Sequence, residues 1–581
     1  MSYLTKSEKI TIGSVKGCPQ GSPLSPLLFN VVIADLLQQR FENNITIQAF
    51  ADDVTLIVTG KSRKELEDNA NRALNLIKEW GDEKRLSFNP AKCEVLDIGD
   101  RYKKRVPTIK LGGRNLTHVN SLKILGVVFD SKLTFTAHAE YLKSKITQST
   151  QALGMFSGVN WGIKGTQFRD IYIRGIERAI TYAAPVWWKN TNNSHLARKL
   201  QSVQRTPLLK ITKAYRTVSN INLNILSNIM PIALTLDKEA ASFHLFQRNS
   251  DHTILGTTWE TEKIQKLLDP WDTHPAEKTA VSFFKKAPST AQLNIFTDGS
   301  VCNQTVGAAF IILDESEKSN KKAMYKLEKH GRIYDAEMIA ILKSLEYIST
   351  FKNSTTFNLF TDSLSTLQAL ANPHNNHPII QLIKNTIKTI RTMHSINLMD
   401  VKGHTGVEGN ELADKLANKA RTHGEPVALP MGKNYVKKEI KIQLFKEWDQ
   451  RWKEEGQNSE LSTWIPSIYD IPDNFPANFY VSQVVTNHGR LPYYLYRVKL
   501  SPDQNCFCGR QCVNFLHYLN ECPLLKPLAE QVYSLLPGKV TTVTDKDKIN
   551  ILKNQKILKL IGEMLNLIGA KLGTLERRGL I

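Results

Sequence analysis

Cysteine is scarce in this chain of 581 residues, with seven in all. That is too few for a disulfide scaffold, and four of them, Cys506, Cys508, Cys512 and Cys522, crowd into one short stretch. Clustering of this kind points to metal ligation in a reducing compartment. Long apolar runs are also lacking. The opening MSYLTKSEKITIGSVKGCPQG holds no apolar leader, and no later run approaches the roughly eighteen residues a membrane span needs. The sequence therefore predicts an intracellular protein, nuclear or cytoplasmic, with no membrane partner. Acids are the third shortage: 55 Asp and Glu stand against 76 Lys and Arg, a net charge of +21. Hydrophobic content of 41% and charged content of 23% are ordinary for folded domains, which excludes collagen-like, disordered and membrane-embedded classes. A chain of this length holds roughly two to four domains. Its surplus of positive charge calls for a polyanionic partner.

The shortage of acid is local. Residues 141 to 220 carry thirteen Lys and Arg but only Asp170 and Glu177, a net of +11, whereas residues 291 to 422 carry fifteen against thirteen, a net of +2. In the basic stretch, Phe168, Ile171, Tyr172, Ile176 and Ile180 recur at helical spacing. Arg169, Arg174 and Arg178 fall largely off that stripe and are expected to meet phosphate, because a merely solubilising face mixes both signs. Residues 249 to 290, rich in Pro, Thr and charge, read as a linker.

After the linker, strand and helix patterns alternate. LNIFTDGS is an apolar strand ending at Asp298, and GAAFIIL is a second strand. DAEMIAILKSLEYI is a helix with Glu337 near its start, FNLFTDSLSTLQAL a strand running into Asp362 and then a helix. NLMDVKGHTGVEGNELADKLANKA is a strand, a glycine-rich loop with His404, and a helix bearing Asp414. This order predicts a mixed sheet with helices packed on it. Acids at strand ends point into the crevice where α/β folds bind ligands. Four converging carboxylates need cations, and oxygen-only ligation selects Mg²⁺ or Mn²⁺ over zinc. Two such ions could activate water and stabilise a leaving oxygen at a phosphodiester. Taken singly, each acid could equally be a turn, cap or solvated helix residue.

Taken in order, TDGS, Glu337 in DAEMIAIL, TDS and KGHTGVEGNELAD resemble the ribonuclease H family over residues 291 to 422. The resemblance implies cleavage of the RNA strand of RNA–DNA hybrids, with Asp298, Glu337, Asp362 and Asp414 as ligands of two Mg²⁺ or Mn²⁺ ions. It makes His404 a mobile-loop histidine that helps product or metal leave. A histidine between Gly403 and Gly406 sits on a flexible loop and has a pKa suited to proton transfer.

Earlier in the chain, GCPQGSPLSPLLFNVVIADL is a Pro/Gly/Ser-rich loop with Gln20 and Gly21 feeding an apolar helix. ITIQAFADDVTLIVTG is a hairpin with Asp52 and Asp53 at its tip, able to hold Mg²⁺ against a triphosphate, although an ordinary acidic turn explains the pair as well. With WGDEKRLSFNPAKCEVL, which contains Lys92, and LKILGVVFD at residues 122 to 130, these motifs resemble reverse transcriptases of non-LTR, LINE-type retrotransposons over about 11 to 230. The family's first palm motif and its fingers lie upstream of the PQG loop. Only Glu8 is acidic before Gly17, so the polypeptide as given is expected not to polymerise DNA and to be the C-terminal portion of a longer polyprotein.

Near the other end, Cys506, Cys508, His517 and Cys522 follow a C-x-C-x8-H-x4-C spacing suited to structural Zn²⁺, with Cys512 as a spare thiol. It resembles the cysteine–histidine knuckle of such polyproteins, which contacts nucleic acid. The reading is a multidomain α/β chain. It comprises a partial reverse transcriptase palm at 1–130, a basic helical thumb and connection at 131–248, a linker at 249–290, an RNase H domain at 291–422 and a C-terminal region at 423–581 with the knuckle at 506–522. Its expected activity is hydrolysis of RNA in RNA–DNA hybrids, and its expected partners are hybrid, RNA and DNA, together with a missing N-terminal polyprotein part. The alternative is a catalytically inactive nucleic-acid-binding remnant of a mobile element.

Overall fold

The computed structural model describes the whole chain except residues 1, 5–8, 12–20, 43, 100–104, 159–160, 190–193, 270, 273–277, 287–290, 315, 317, 404–405, 473–474, 476–477, 539 and 578–581. Gln20 and His404 therefore lie outside the described residues. The chain divides into two compact units. One comprises Met1–Ala233, Ser459–Ile465 and Ile471–Ile581, the other Leu234–Asn458 and Pro466–Asp470. The break falls ahead of position 248, because the helix Ile232–Phe246 runs into the second unit.

The second unit is built on a seven-stranded sheet. Its elements are β1 (Phe283–Phe284), β2 (Leu293–Cys302), β3 (Thr305–Asp314), β4 (Ser319–Leu327), α1 (Ile333–Ile348), β5 (Thr356–Thr361), α2 (Leu364–Ala371), α3 (Pro378–Ile390), β6 (Ser395–Asp400), α4 (Glu408–His423) and β7 (Glu425–Val427). The spatial order is β1-β6-β5-β2-β3-β4-β7. β2, β3 and β4 form an antiparallel meander, while β1, β6, β5 and β2 are joined by parallel pairs, as is β7 to β4. Alternation along β2 sets the layers. Leu293 and Ile295 enter the main core with Ala340, Ile341 and Leu345 of α1 and Ile383 and Ile387 of α3. Phe296 turns the other way, onto Ala413 of α4. The helices thus cover both faces, as the mixed-sheet reading expected. The stretch read as a linker is not only that: His252–Ile254 pairs with Thr257–Trp259, and β1 adds a strand to the sheet through its parallel register with β6. Two residues of β1 suffice because Leu398 and Met399 of β6 offer an open edge.

In the first unit, the helix Ser25–Leu37 packs Ile33 and Leu36 on Ile77 and Trp80 of the helix Arg63–Glu83, and Trp80 Nε1 donates to Asp35 at 2.9 Å. The strands Ile45–Phe50 and Asp53–Val58 form the expected hairpin. The basic stretch is helical, with a π-turn over Tyr172–Ile176 between α-helical segments Gly165–Ile171 and Glu177–Thr181. Its apolar stripe is buried at Phe168, Tyr172, Ile176 and Ile180. Arg169 departs from the expected phosphate contact. Its guanidinium donates to the carbonyls of Ser227 and Asn228, both at 2.9 Å, and so closes the end of the helix Asn220–Ser227. Among the described residues no helix is long and apolar enough to cross a membrane.

Candidate active site and metal centres

β2 and β5 run parallel, and Thr297 opposite Thr361 is their last register pair. Asp298, still on β2, and Asp362, just past the end of β5, come next, so the ladder delivers two acids side by side where it stops. Asp298 does not end its strand, as the sequence had suggested, because pairing with β3 carries β2 on to Cys302. Glu337 arrives from α1. The Asp335 carboxylate accepts the Arg332 backbone N–H at 2.9 Å, which fixes where that helix begins and hence where Glu337 stands one turn later. Gly299 lets strand and helix touch, since a Cβ there would lie 2.8 Å from the Glu337 backbone nitrogen and from the Ala336 Cβ. Carboxylate oxygens of Asp298, Glu337 and Asp362 gather within 4.8 Å of one another. Asp298 and Glu337 are only 6% and 7% exposed.

Asp414, expected as the fourth acid, stands outside that close trio. It is half-buried on α4 and hydrogen-bonded to Asp298. Its Oδ1 accepts from Asn418 Nδ2 at 2.8 Å, and Asn418 Oδ1 accepts from Ser300 Oγ at 2.8 Å. Ser300, two residues beyond Asp298 on β2, thereby ties α4 to the strand that carries the trio. Outer-sphere partners of this kind set ligand orientation, and their loss typically weakens metal affinity about 10–100-fold. Asn418→Ala is accordingly expected to weaken Mn²⁺ binding, measured by calorimetry, by about tenfold or more. An unchanged Mn²⁺ affinity would show that Asp414 needs no such support.

Crowding of acids shifts their protonation. Burial first, then the charges of Asp362 and Asp414, push Asp298 up to about 7, and burial with the charges of Asp298 and Asp362 raises Glu337 well above the carboxylate range. The Gly299 N–H donates to Glu337, yet Glu337 Oε2 is buried with no hydrogen-bond partner. An orphaned buried oxygen inside a ring of acids is what a hard divalent cation would satisfy, so the residues fit Mg²⁺ or Mn²⁺. The pH dependence follows. A carboxylate whose folded pKa is raised favours folding while protonated, and that contribution fades as pH climbs from about 4 through about 7. The metal-free protein should therefore melt lower at about pH 8 than at about pH 5.5, and Mn²⁺ should raise the melting temperature more at the higher pH. Equal metal-induced shifts at both pH values would contradict this.

The other predicted polymerase residues are not gathered in the same way. Asp52 and Asp53 are exposed at the hairpin tip, where Asp53 pairs with Phe50, and among the described residues they join no group of three metal-ligating side chains. Lys92 is exposed at the end of the 3-10 turn Pro90–Lys92, and Gly21, with φ +85°, leads into the helix Ser25–Leu37.

Cys506, Cys508, His517 and Cys522 do converge, with ligand atoms within 4.8 Å. Cys506 Sγ lies 3.7 Å from Cys522 Sγ, and Cys508 Sγ lies 3.5 Å from His517 Nε2. A tetrahedron with Zn–S near 2.3 Å and Zn–N near 2.05 Å has edges of about 3.8 Å and about 3.6 Å, so the four atoms fit zinc. His517 Nδ1 meets Glu521 Oε2 at 3.1 Å, leaving Nε2 free for the centre. Cys512 is outside the set: its thiol points to the Asn514 carbonyl at 3.5 Å, and burial pushes it up to about 12.

Comparison with known proteins agrees with this layout. Residues 2–129 match the reverse transcriptase (RNA-dependent DNA polymerase) family, and residues 290–422 match the RNase H family. Over 283 residues the chain is 28% identical to the 115 kDa protein of the type-1 retrotransposable element R1DM of Drosophila melanogaster, covering 46% of this chain. Over the same length it is 29% identical to a retrovirus-related Pol polyprotein from the type-1 retrotransposable element R1 of Bradysia coprophila, again covering 46%. The chain carries a LINE-type reverse transcriptase and RNase H region. It spans 28% of the length of those two relatives. The RNase H1 structure from the halophilic archaeon Halobacterium salinarum covers 22% of this chain and 96% of its own, with 19% identity and a TM-score of 0.19.

The RNase H segment thus contains the carboxylate trio, Asp414, Asn418 and Ser300, and the reverse transcriptase segment contains the acidic hairpin. The cysteine–histidine cluster lies outside both. Sequence reasoning passed over Asn418 and Ser300, yet both carried a signal. Asn418 is four residues from Asp414 on one helix face, and Ser300 is two residues from Asp298 on one strand face. Gly403 was read only as loop. A Cβ there would lie 2.8 Å from Asp362 Oδ2, so the bare backbone leaves that carboxylate its room.

Proposed function

We propose that this chain hydrolyses the RNA strand of RNA–DNA hybrids with Mg²⁺ or Mn²⁺, through Asp298, Glu337, Asp362 and Asp414. The observation that carries the reading is the carboxylate trio, with Asp298 and Glu337 buried, Glu337 Oε2 unpaired and Asp298 hydrogen-bonded onward to Asp414. When bound, the ions supply Lewis acidity toward water and the phosphodiester. The protein's part is to hold four oxygen donors at one end of a parallel ladder, to keep Asp298 and Glu337 away from bulk water, and to give up the protons those two acids retain. Asn418 aims Asp414, and Gly403 keeps space beside Asp362. His404, four residues beyond the end of β6 in sequence, is the candidate proton carrier.

The same chain is proposed to bind hybrid, RNA and DNA through the basic helices of the first unit. A groove lined by Lys143, His195, Arg198 and Lys199 supports this, between the helices Thr136–Gly154 and Ser194–Thr212. Zn²⁺ held by Cys506, Cys508, His517 and Cys522 is proposed as structural. The test is direct. The purified chain is given a hybrid labelled on either strand, with Mn²⁺ or with chelator. Metal-dependent loss of the RNA strand alone supports the reading, whereas metal-dependent binding with no cleavage favours the inactive remnant.

A further inference from the structure

The helix Thr136–Gly154 ends in a tight reversal that presents large apolar side chains to solvent. Ile163 N donates to the Phe156 carbonyl at 2.8 Å and Gly158 N to the Trp161 carbonyl at 3.0 Å, closing the turn, and Ser157 Oγ donates to the Ile163 carbonyl at 3.0 Å. Met155, Phe156 and Trp161 are nevertheless 70%, 63% and 65% exposed. A single exposed apolar residue is ordinary, but three large ones on one short turn, two of them aromatic, mark a contact surface. The turn is also tied to basic residues. Lys213 Nζ donates to the Gly158 carbonyl at 2.5 Å, and Lys210, which is exposed, reaches to within 2.9 Å of where a Cβ on Gly154 would sit. The same helix carries Lys143, about 16 Å away at 1.5 Å per residue, in the basic groove. Around all of it lies the stretch with a net charge of +11.

Exposed aromatic faces beside the exposed Lys210 in a strongly basic stretch suit a flexible polyanion that offers flat rings, which is single-stranded nucleic acid. We infer that Phe156 and Trp161 form a stacking platform for unpaired bases that run on from a bound duplex, with Lys210 meeting their phosphates. This rests on the reading that the basic helices bind nucleic acid. An anionic membrane would also accept apolar residues ringed by lysines. The helix pair that leads to this turn also lines the groove at Lys143 and Arg198, and sites spaced along one helix pair favour a linear polymer over a planar surface.

The test uses the full chain and fluorescence anisotropy with a blunt RNA–DNA hybrid and the same hybrid carrying a short DNA or RNA tail. Wild-type protein should bind tailed hybrid at least about fivefold more tightly than blunt hybrid, the size of one base stacking on one aromatic ring. Trp161→Ala should lose that preference with blunt affinity unchanged, and Trp161→Phe should retain most of it. Equal preference in Trp161→Ala and wild type overturns the platform, as does Trp161-dependent binding to phosphatidylserine vesicles without a tail preference. Failure of wild-type protein to bind blunt hybrid in a salt-sensitive manner would instead sink the underlying reading.

Discussion

Replacing Asp298 by Asn is expected to lower hybrid cleavage by more than about a hundredfold, because loss of outer-sphere support alone costs about 10–100-fold and this change removes a direct oxygen donor. Asp298 is the hub of its site. Its carboxylate feels Asp362 and Asp414, shares the trio with Glu337 and Asp362, and lies on the buried face of β2. Asn keeps the shape and removes the charge. Salt-sensitive binding of the hybrid should be nearly unchanged, since the basic helices that carry it belong to the other unit. A second readout separates this from misfolding. At about pH 8 the metal-free variant should melt higher than the wild type, because a carboxylate forced to ionise among other acids works against the fold. The same variant should lose most of the stabilisation that Mn²⁺ gives the wild type. Cleavage of the labelled RNA strand within tenfold of wild type would show that these acids are not the reaction centre.

The cysteine cluster yields the second large effect. The full chain should bring one zinc per molecule through purification, and Cys508→Ser should lose it. Structural zinc binding in small modules is worth about 10 kcal/mol or more and is inseparable from their folding, so the segment around Cys506–Cys522 should then become sensitive to protease. Among the elements at stake are the short helix Leu516–Asn520, which carries His517, and the Cys506–Gly509 turn. Cys512→Ala is the control. Its thiol is buried beside the Asn514 carbonyl and outside the four donors, so the metal should stay, at the cost of a small cavity. A Cys508→Ser chain that still holds one zinc per molecule would remove the assignment.

Much of the RNase H segment was legible because its signals are local. Apolar runs ending in Thr-Asp marked β2 and β5, and the stretches DAEMIAILKSLEYI and GVEGNELADKLANKA marked the helices that carry Glu337 and Asp414. Pairing is not local, and there the reading slipped. Nothing in LNIFTDGS says that β3 prolongs the strand through Asp298, or that Phe283 and Phe284 find an open edge on β6. Charge was misread in one instructive way. Arg169 was counted with the phosphate-facing cations, but it is bound to the protein's own carbonyls, as is Arg205 of the same basic stretch, to that of Val218 at 2.8 Å. A guanidinium offers five donors and closes helix ends as readily as it meets phosphate, and composition cannot separate the two uses. The π-turn at Tyr172–Ile176 was hidden for a related reason, because steps of four along Phe168, Tyr172, Ile176 and Ile180 read equally as an ordinary α-helical stripe.

The last register pair of β2 and β5 also says what kind of sequence change the site tolerates. Asp298 and Asp362 meet because the parallel pairing of the two strands stops at one level, Thr297 against Thr361. Adding one residue to either strand before its acid would turn that acid to the opposite side of the sheet, and adding two would restore its side but carry it about 7 Å along. Point substitutions around the sheet leave this measure intact, whereas a single-codon insertion within β2 or β5 erases it. The centre is encoded as much in the number of residues between loop and acid as in the acids themselves.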